Sequence, residues 1–268
     1  MGGNIGRSWN PLVKKLSLFS PLSDEDVGLL NALCAKEERF RAGEIIAVEG
    51  DAPRSAFVVT HGMAFRYRLL PDGRRQILTF LIPGDFFDLH VFLLKTMDHS
   101  ISTIGPTRIA PVGRDVVIDI VAHHPRIGAA LWWSAMQEEA MLRERIVALG
   151  RRSAPSCVAY LLCELVLRQR VIGMAGDHAI RLPLTQTDLA DALGLTSVHV
   201  DRVLQRFRRD QLLTLEHRRL NLRNGGRLEA IAGFTPNYLQ LNRTLAEVIR
   251  YLDELESARA GPGRLEDA

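Results

Sequence analysis

The sequence is poor in cysteine: Cys34, Cys157 and Cys163 are the whole complement of its 268 residues. An odd number with no Cys-x-x-Cys pair argues against a disulfide framework, a zinc site and a cysteine-ligated iron–sulfur cluster, and favours buried reduced thiols. Long apolar runs are lacking too. None approaches the roughly 18 to 20 residues that span a bilayer, and the opening MGGNIGRSWNPLVKK has no apolar signal core, so a cytoplasmic location and no membrane partner are expected. An excess of charge of one sign is nearly absent, the net being +3, and lysine is scarce: Lys14, Lys15, Lys36 and Lys95 are the only lysines among 34 cationic side chains. The positive charge therefore sits on arginine, whose planar guanidinium suits bidentate recognition of phosphates and base edges. With 47% hydrophobic and 24% charged residues the composition excludes global disorder, and the length implies two domains, each able to bury a core.

Order along the chain is informative. Ser23 before Asp24, Glu25 and Asp26 reads as a helix N-cap with an acidic first turn, followed by Val27, Leu30, Leu33 and Cys34 on one apolar face. From Phe40 the pattern shortens to apolar runs such as 44–48, 56–60 and 76–82, punctuated by Gly43, Gly50, Gly62, Gly73 and Gly84, as in short antiparallel strands joined by tight turns. LLPDGRRQILTFL predicts a hairpin whose Asp72-Gly73 pair supplies positive backbone dihedrals. A β-roll or jelly-roll domain is expected over 20–122, its strands running from 40 to about 120. Pro125 opens a helical segment, assigned to 123–150, in which Leu131, Ala135, Leu142, Ile146 and Leu149 form a narrow apolar seam. Its length and its flanks, Glu138, Glu139, Arg143, Glu144 and Arg145, favour a dimerisation helix over packing within one subunit. Gly150 and Pro155 break the helix, so a second domain is expected over 151–228. Residues 229–268 read as an extension with a helix from Tyr238 to Ala258 and a disordered tail, GPGRLEDA.

The segment TQTDLADALGLTSVHVDRVLQRFRRDQLL, 185–213, carries the functional signal. Leu189, Leu193, Leu195, Val200 and Val203 fall on inward positions of two helices, Ala190 permits their close approach, and Gly194 sits at the turn, where a left-handed backbone costs other residues energy. Thr196 can cap the second helix. Ser197, Val198, His199, Asp201, Arg202, Gln205 and Arg206 then lie at or near its exposed face, and Arg202 is the candidate for a bidentate contact to guanine in a major groove. Thr185 and Gln186, opening the first helix, complete the candidate DNA contacts of this motif. Residues 212–222 alternate like a strand pair with Arg218 and Arg219 at the tip, the pattern of a wing. From 181 to 227 nine arginines face five acidic residues, a local net charge of +4 that fits phosphate contacts and double-stranded DNA as partner.

FRAGEIIAVEGD and GRRQILTFLIPGDFFDL, then a long helix, then the 185–213 segment together resemble the Crp/Fnr transcription regulators over about 20–240. The resemblance implies an α+β chain with an N-terminal β-roll of the cyclic-nucleotide-binding type, a long dimerisation helix and a C-terminal winged helix-turn-helix. It implies a homodimer on a palindromic site that regulates transcription, usually through RNA polymerase, and no enzyme. Ser197, Val198 and Arg202 match the family's base-contacting positions, with Val198 in place of the common glutamate.

In the stretch GDFFDLHVFLLKTMDHSIST, Asp88-Leu89 stands near the family's Gly-Glu motif and His99-Ser100 near its phosphate-binding Arg-Ser pair. The charge-assisted partner of a cyclic phosphate is missing, so cyclic AMP is not the expected effector. The lone Cys34 ahead of the roll argues against the family's iron–sulfur sensors. Asp85, Asp88, His90, Asp98 and His99 form one local polar cluster, of which Asp85, Asp88, His90 and His99, with Ser100, are the candidate effector pocket. Their irregular spacing reads as solvated loop charge rather than a metal site, while haem, bound by some family members, stays open. Two other classes compete. A cupin-like small-molecule binder or enzyme needs convergent ligands or a nucleophile and base, and none is visible; a cyclic-nucleotide-binding-like module controlling a partner protein leaves the arginine-rich helix and wing unexplained.

Overall fold

The computed structural model describes residues 10–89, 93, 95–175 and 179–241. Two short helices come first, α1 (Pro11–Leu16) and α2 (Asp24–Ala35). α2 starts at a reciprocal cap in which Ser23 Oγ accepts the Asp26 amide at 3.1 Å and the Asp26 carboxylate accepts the Ser23 amide at 2.8 Å. α1, too short to show a period, is capped by Asn10 Oδ1, and the Asn10 amide group donates to Asn31 of α2 at 2.9 Å.

The strands are β1 (Glu38–Phe40), β2 (Ile45–Ala47), β3 (Ser55–His61), β4 (Ala64–Leu69), β5 (Arg75–Leu81), β6 (Phe86–Phe87), β7 (Ser100–Thr103) and β8 (Thr107–Gly113). They form two antiparallel sheets ordered β1-β8-β3-β6 and β2-β7-β4-β5, the β-roll expected from the alternation. β3 shows how alternation sorts the layers: Phe57 and Val59 pack inside the roll with Ala64, Leu81, Phe87 and Ile101, whereas Ala56 and Val58 join Leu12, Leu16 and Leu30 of the covering helices. The β4–β5 hairpin departs from the expected turn. Only Gly73 takes a positive φ, 82°; the Leu70 amide donates to the Arg74 carbonyl at 2.7 Å, and Asp72 accepts the Arg74 amide at 3.0 Å. Pro71, its φ locked by the ring, starts a three-residue loop in which glycine alone needs the left-handed conformation.

α3 (Arg114–His123) is a second departure, because this run of β-branched residues belongs to the strands in the sequence reading. It is helical since Val117 and Ile120, one turn apart, both reach the core beneath β3 and β8, while Val116, Ile118 and Val121 stay exposed. α4 (Pro125–Arg151) follows and includes Gly150; the break comes at Arg152-Ser153, before α5 (Ala154–Val171). The C-terminal half adds β9 (Ala179–Arg181), α6 (Gln186–Leu193), α7 (Ser197–Arg209), β10 (Leu213–Glu216), β11 (Arg219–Leu222) and α8 (Gly225–Ala232), its strands ordered β10-β11-β9. The expected Tyr238–Ala258 helix begins within a 3-10 turn, Pro236–Leu239, and its remainder from 242, like the tail, lies outside the described residues. The described part of this extension folds back: Tyr238 donates to Glu164 of α5 at 2.9 Å, and Gln137 of α4 donates to the Leu239 carbonyl. Among the described residues no helix is long and apolar enough to cross a membrane. The cysteines are free, and burial pushes the Cys34 thiol up to about 11 and Cys163 up to about 12, so neither supplies thiolate at neutral pH.

The two halves share one core, in which Phe65, Ile77, Phe80 and Ile82 of the roll join Val158, Leu161 and Leu162 of α5. Buried charge crosses the same junction. Asp85 accepts Lys15 Nζ and Arg168 Nη2, each at 2.7 Å, and the Ile82 amide at 2.8 Å. Arg75 of β5 pairs with Asp188 and Asp191 of α6, both at 2.8 Å, with its guanidinium 4.7 Å from the Phe65 ring centroid. Burial alone would raise the Asp85 pKa, but the two cations and the Ile82 amide outweigh it and hold the carboxyl below its ordinary value. Because the folded pKa lies below the unfolded one of about 3.9, this contribution is complete above that pH and is lost as pH falls through the folded value. Asp85→Ala leaves the largely covered Lys15 without its carboxylate and Arg168 with only Glu164, 3.8 Å away, an expected cost of about 3 kcal/mol at pH 7. Thermal melts across pH check this; wild type should show a steeper loss below about pH 4 than the variant.

Candidate nucleic-acid interface

In the C-terminal half the two helix starts are fixed by side-chain caps. Thr185 Oγ1 accepts the Asp188 amide at 3.1 Å while the Asp188 carboxylate accepts the Thr185 amide at 2.9 Å, and Thr196 Oγ1 accepts the His199 amide at 3.2 Å. Between them Gly194 ends α6 at φ 62°, the left-handed conformation that lets the chain turn sharply into α7. Val200, Val203, Leu204 and Phe207 are buried on the inner face of α7. The opposite face is left to solvent: Val198, His199, Arg202, Gln205 and Arg206 are exposed, and Ser197 and Asp201 are half-buried.

Hydrogen bonds tie several of these residues together. Gln186 Nε2 donates to one Asp201 oxygen at 2.7 Å and Gln205 Nε2 to the other at 2.8 Å, so these three candidate DNA-binding residues act as one unit across α6 and α7. Arg206 leans on Asp210 at 3.6 Å, whereas Arg202 makes no ion pair among the described residues. β10 and β11 pair with Glu216 opposite Arg219, leaving His217 and Arg218 as a two-residue turn with φ of 50° and 61°. The wing tip is therefore His217-Arg218. Arg219, expected at the tip, is instead the first residue of the central strand, opposite Arg181 of β9; both are exposed.

Residues 37–124 match the family model for a cyclic nucleotide-binding domain, and 158–231 match that for a Crp-like helix-turn-helix domain. The nitrogen fixation regulation protein FixK of Bradyrhizobium diazoefficiens is 34% identical over 199 residues, covering 72% of this chain and 80% of FixK. The chain belongs to the Crp/Fnr family. It is a DNA-binding transcription regulator of the Crp/Fnr type and not an enzyme. The transcriptional activatory protein AadR of Rhodopseudomonas palustris is 29% identical, covering 74% of this chain and 82% of AadR. The solved structure of FixK2 from Bradyrhizobium japonicum has a TM-score of 0.67 at 28% identity, covering 74% of this chain and 98% of that one.

The long helix of this Crp/Fnr chain carries an exposed apolar stripe. Trp132 (72% exposed), Leu142, Ile146 (69%) and Leu149 recur along α4, with the half-buried Ala135 on the same line and Met136 exposed beside it. Leu131 is a correction. It is 3% exposed and packs with Val58, Ile127 and Ala130 inside its own domain. One residue turns the side chain by about 100° around a helix, so the stripe starts at Trp132.

The candidate effector residues separate into different places. Asp88 and His99 meet inside the roll, Asp88 Oδ1 lying 3.3 Å from His99 Nε2, and Asp98 Oδ1 lies 2.6 Å from His99 Nδ1. Arg66 of β4 donates to Asp88 at 2.8 Å and pairs with Glu138 of α4, its guanidinium 5.5 Å from the Phe87 ring centroid. Asp85 is drawn instead to Lys15 and Arg168, Ser100 Oγ accepts the Glu49 amide at 2.9 Å, and His90 lies outside the described residues. A small space beside Asp85, lined by Lys15, Phe86, Phe87, Glu138 and Arg168 between the roll and the long helices, has room for about one water. Among the described residues no group of three His, Cys, Asp or Glu could hold a metal ion. Arg66 and Glu138 escape sequence reading because each is an ordinary polar residue in its own element.

Proposed function

We propose that this regulator works in the cytoplasm as a homodimer on a palindromic duplex site, acting on transcription through RNA polymerase. The exposed face of α7 carries the reading, because Thr196, Gly194 and the Gln186–Asp201 bond hold that helix so that its first turns stand clear of the domain. Arg202 reads guanine there, with Ser197, His199, Gln205 and Arg206 lining the groove, while Arg218 and Arg219 meet phosphates. The stripe Trp132, Ala135, Leu142, Ile146 and Leu149 supports the dimer, since such apolar surface on a long helix is stabilised by a second copy. Twofold symmetry then sets the recognition helices about 34 Å apart, one turn of DNA.

Neither a cyclic nucleotide nor haem is the effector in this reading, which is supported by Arg66, Asp88 and His99 meeting inside the roll and by the Arg66–Glu138 pair that links β4 directly to α4. Selection from a random duplex library tests the whole reading. It should return an inverted repeat with half-site centres about 10 base pairs apart, unchanged in sequence and affinity by millimolar cyclic AMP. A single unrepeated half-site would sink the dimer, and cyclic-AMP-dependent affinity would show that the interior opens to a nucleotide.

A further inference from the structure

The DNA-binding half covers its large apolar side chains with one exception. From Arg152 to Leu241, Val198 is the only exposed large hydrophobic residue among those described, 65% of it facing solvent. It is the second residue of α7, between Ser197 and His199, and the first turn's other valine, Val200, is buried on the opposite face. Nothing in the subunit accounts for a valine there, because branching at Cβ lowers helix propensity and the exposed methyls contribute no burial to the folded monomer. Asp201 and Arg202 follow one turn along the same face and Gln205 two turns along.

The neighbouring acid does not answer for this position. Both Asp201 oxygens accept amide donors, from Gln186 at 2.7 Å and Gln205 at 2.8 Å, so the carboxylate is engaged away from the helix start. At Val198 the helix therefore offers two methyl groups. Among the base edges of the major groove the one alkyl group is the C5-methyl of thymine; cytosine offers only a C5–H at that place, and the other readable groups are hydrogen-bond donors and acceptors. A valine pressed on any of those would leave a polar group dehydrated without a partner.

We infer that Val198 is a specificity-determining residue that packs its methyl groups against the C5-methyl of one thymine in each half-site, within a step or two of the guanine read by Arg202. This rests on α7 being the recognition helix. The thymine is preferred by contact with its methyl group and not by its pairing pattern.

The test uses the full-length protein and the duplex recovered by selection, with each thymine replaced in turn by deoxyuridine, which pairs identically but lacks the methyl group. One thymine per half-site should respond, the affinity falling about fourfold for one replacement and about 15-fold for the symmetric pair, as expected for removing one buried methyl in each half. Val198→Ser, at an exposed position and checked for folding by its thermal melt, should bind the thymine and uracil duplexes alike while keeping the guanine preference. Tolerance of uracil at every position, or discrimination that persists in Val198→Ser, would overturn the inference and leave DNA recognition by α7 standing. Should Arg202→Ala also leave every base preference unchanged, the assignment of α7 fails, and this inference with it.

Discussion

Ile146→Glu should turn the protein into a monomer and weaken binding to its palindromic site by about a hundredfold or more, the usual size of the gain from joining two binding modules. Ile146 is 69% exposed, so the subunit itself loses little from the change. In a dimer the same position lies on the seam, where two carboxylates would face each other across a desolvated contact. Leu142, at 38% exposed, is the poorer probe, since part of its side chain already packs within the subunit. Sedimentation equilibrium and operator titration measure the two effects together. A variant that stays dimeric at micromolar concentration would place the subunit contact elsewhere.

Arg202→Ala and the double change Arg218→Ala with Arg219→Ala should differ in kind. A bidentate guanine contact contributes about 1–3 kcal/mol of discrimination, and a palindrome uses it twice, so Arg202→Ala should lose preference at one base pair in each half-site while retaining its nonspecific affinity. Removing Arg218 and Arg219 should weaken binding to all sequences alike and flatten the salt dependence, by about 0.9 in the log–log slope for each phosphate that the variant no longer neutralises. Repeating the site selection with each variant, alongside titrations at several salt concentrations, separates them. If Arg202→Ala left the selected site unchanged and merely scaled every affinity down, the recognition-helix assignment would be wrong.

What could be read from the sequence follows the range of the interactions involved. Caps are local, so Ser23 before three acids and Thr196 before α7 mark helix starts that the hydrogen bonds realise. Gly194 is legible for the same reason, since its φ of 62° is a property of one residue. Alternation in β3 likewise sorts Phe57 and Val59 from Ala56 and Val58, although both of its faces are covered. Reading fails where tertiary context decides. The β-branched run of α3 has strand propensity and is helical because Val117 and Ile120 must reach one core. Leu131 and Trp132 are adjacent apolar residues on opposite duties, and only the packing of Ile127 and Ala130 shows which faces inward. Arg66 meets Glu138, and Arg75 meets Asp188 and Asp191, across separations that leave no local trace. Arg219 differs from the wing tip by one residue of register, which the pairing of Glu216 with Arg219 determines.

The joint between α4 and α5 is only Arg152 and Ser153, and it is pinned on all sides. Arg152 holds Glu144 at 2.7 Å and lies 3.9 Å from the Tyr160 ring centroid, Ser153 caps α5, and Cys157 Sγ donates to the Ala148 carbonyl at 3.2 Å. Arg168 with Asp85, and Arg75 with Asp188, further clamp each DNA-binding half to its own roll. In the proposed dimer each subunit is thus a stiff jaw, and the pair is a caliper. The stripe runs from Trp132 to Leu149 along α4, about 25 Å of helix, so the two jaws are held along a line and not at a single pivot. The distance between half-sites should then matter as the bases within them do, and a spacer one base pair too long should weaken binding without a single contact to it.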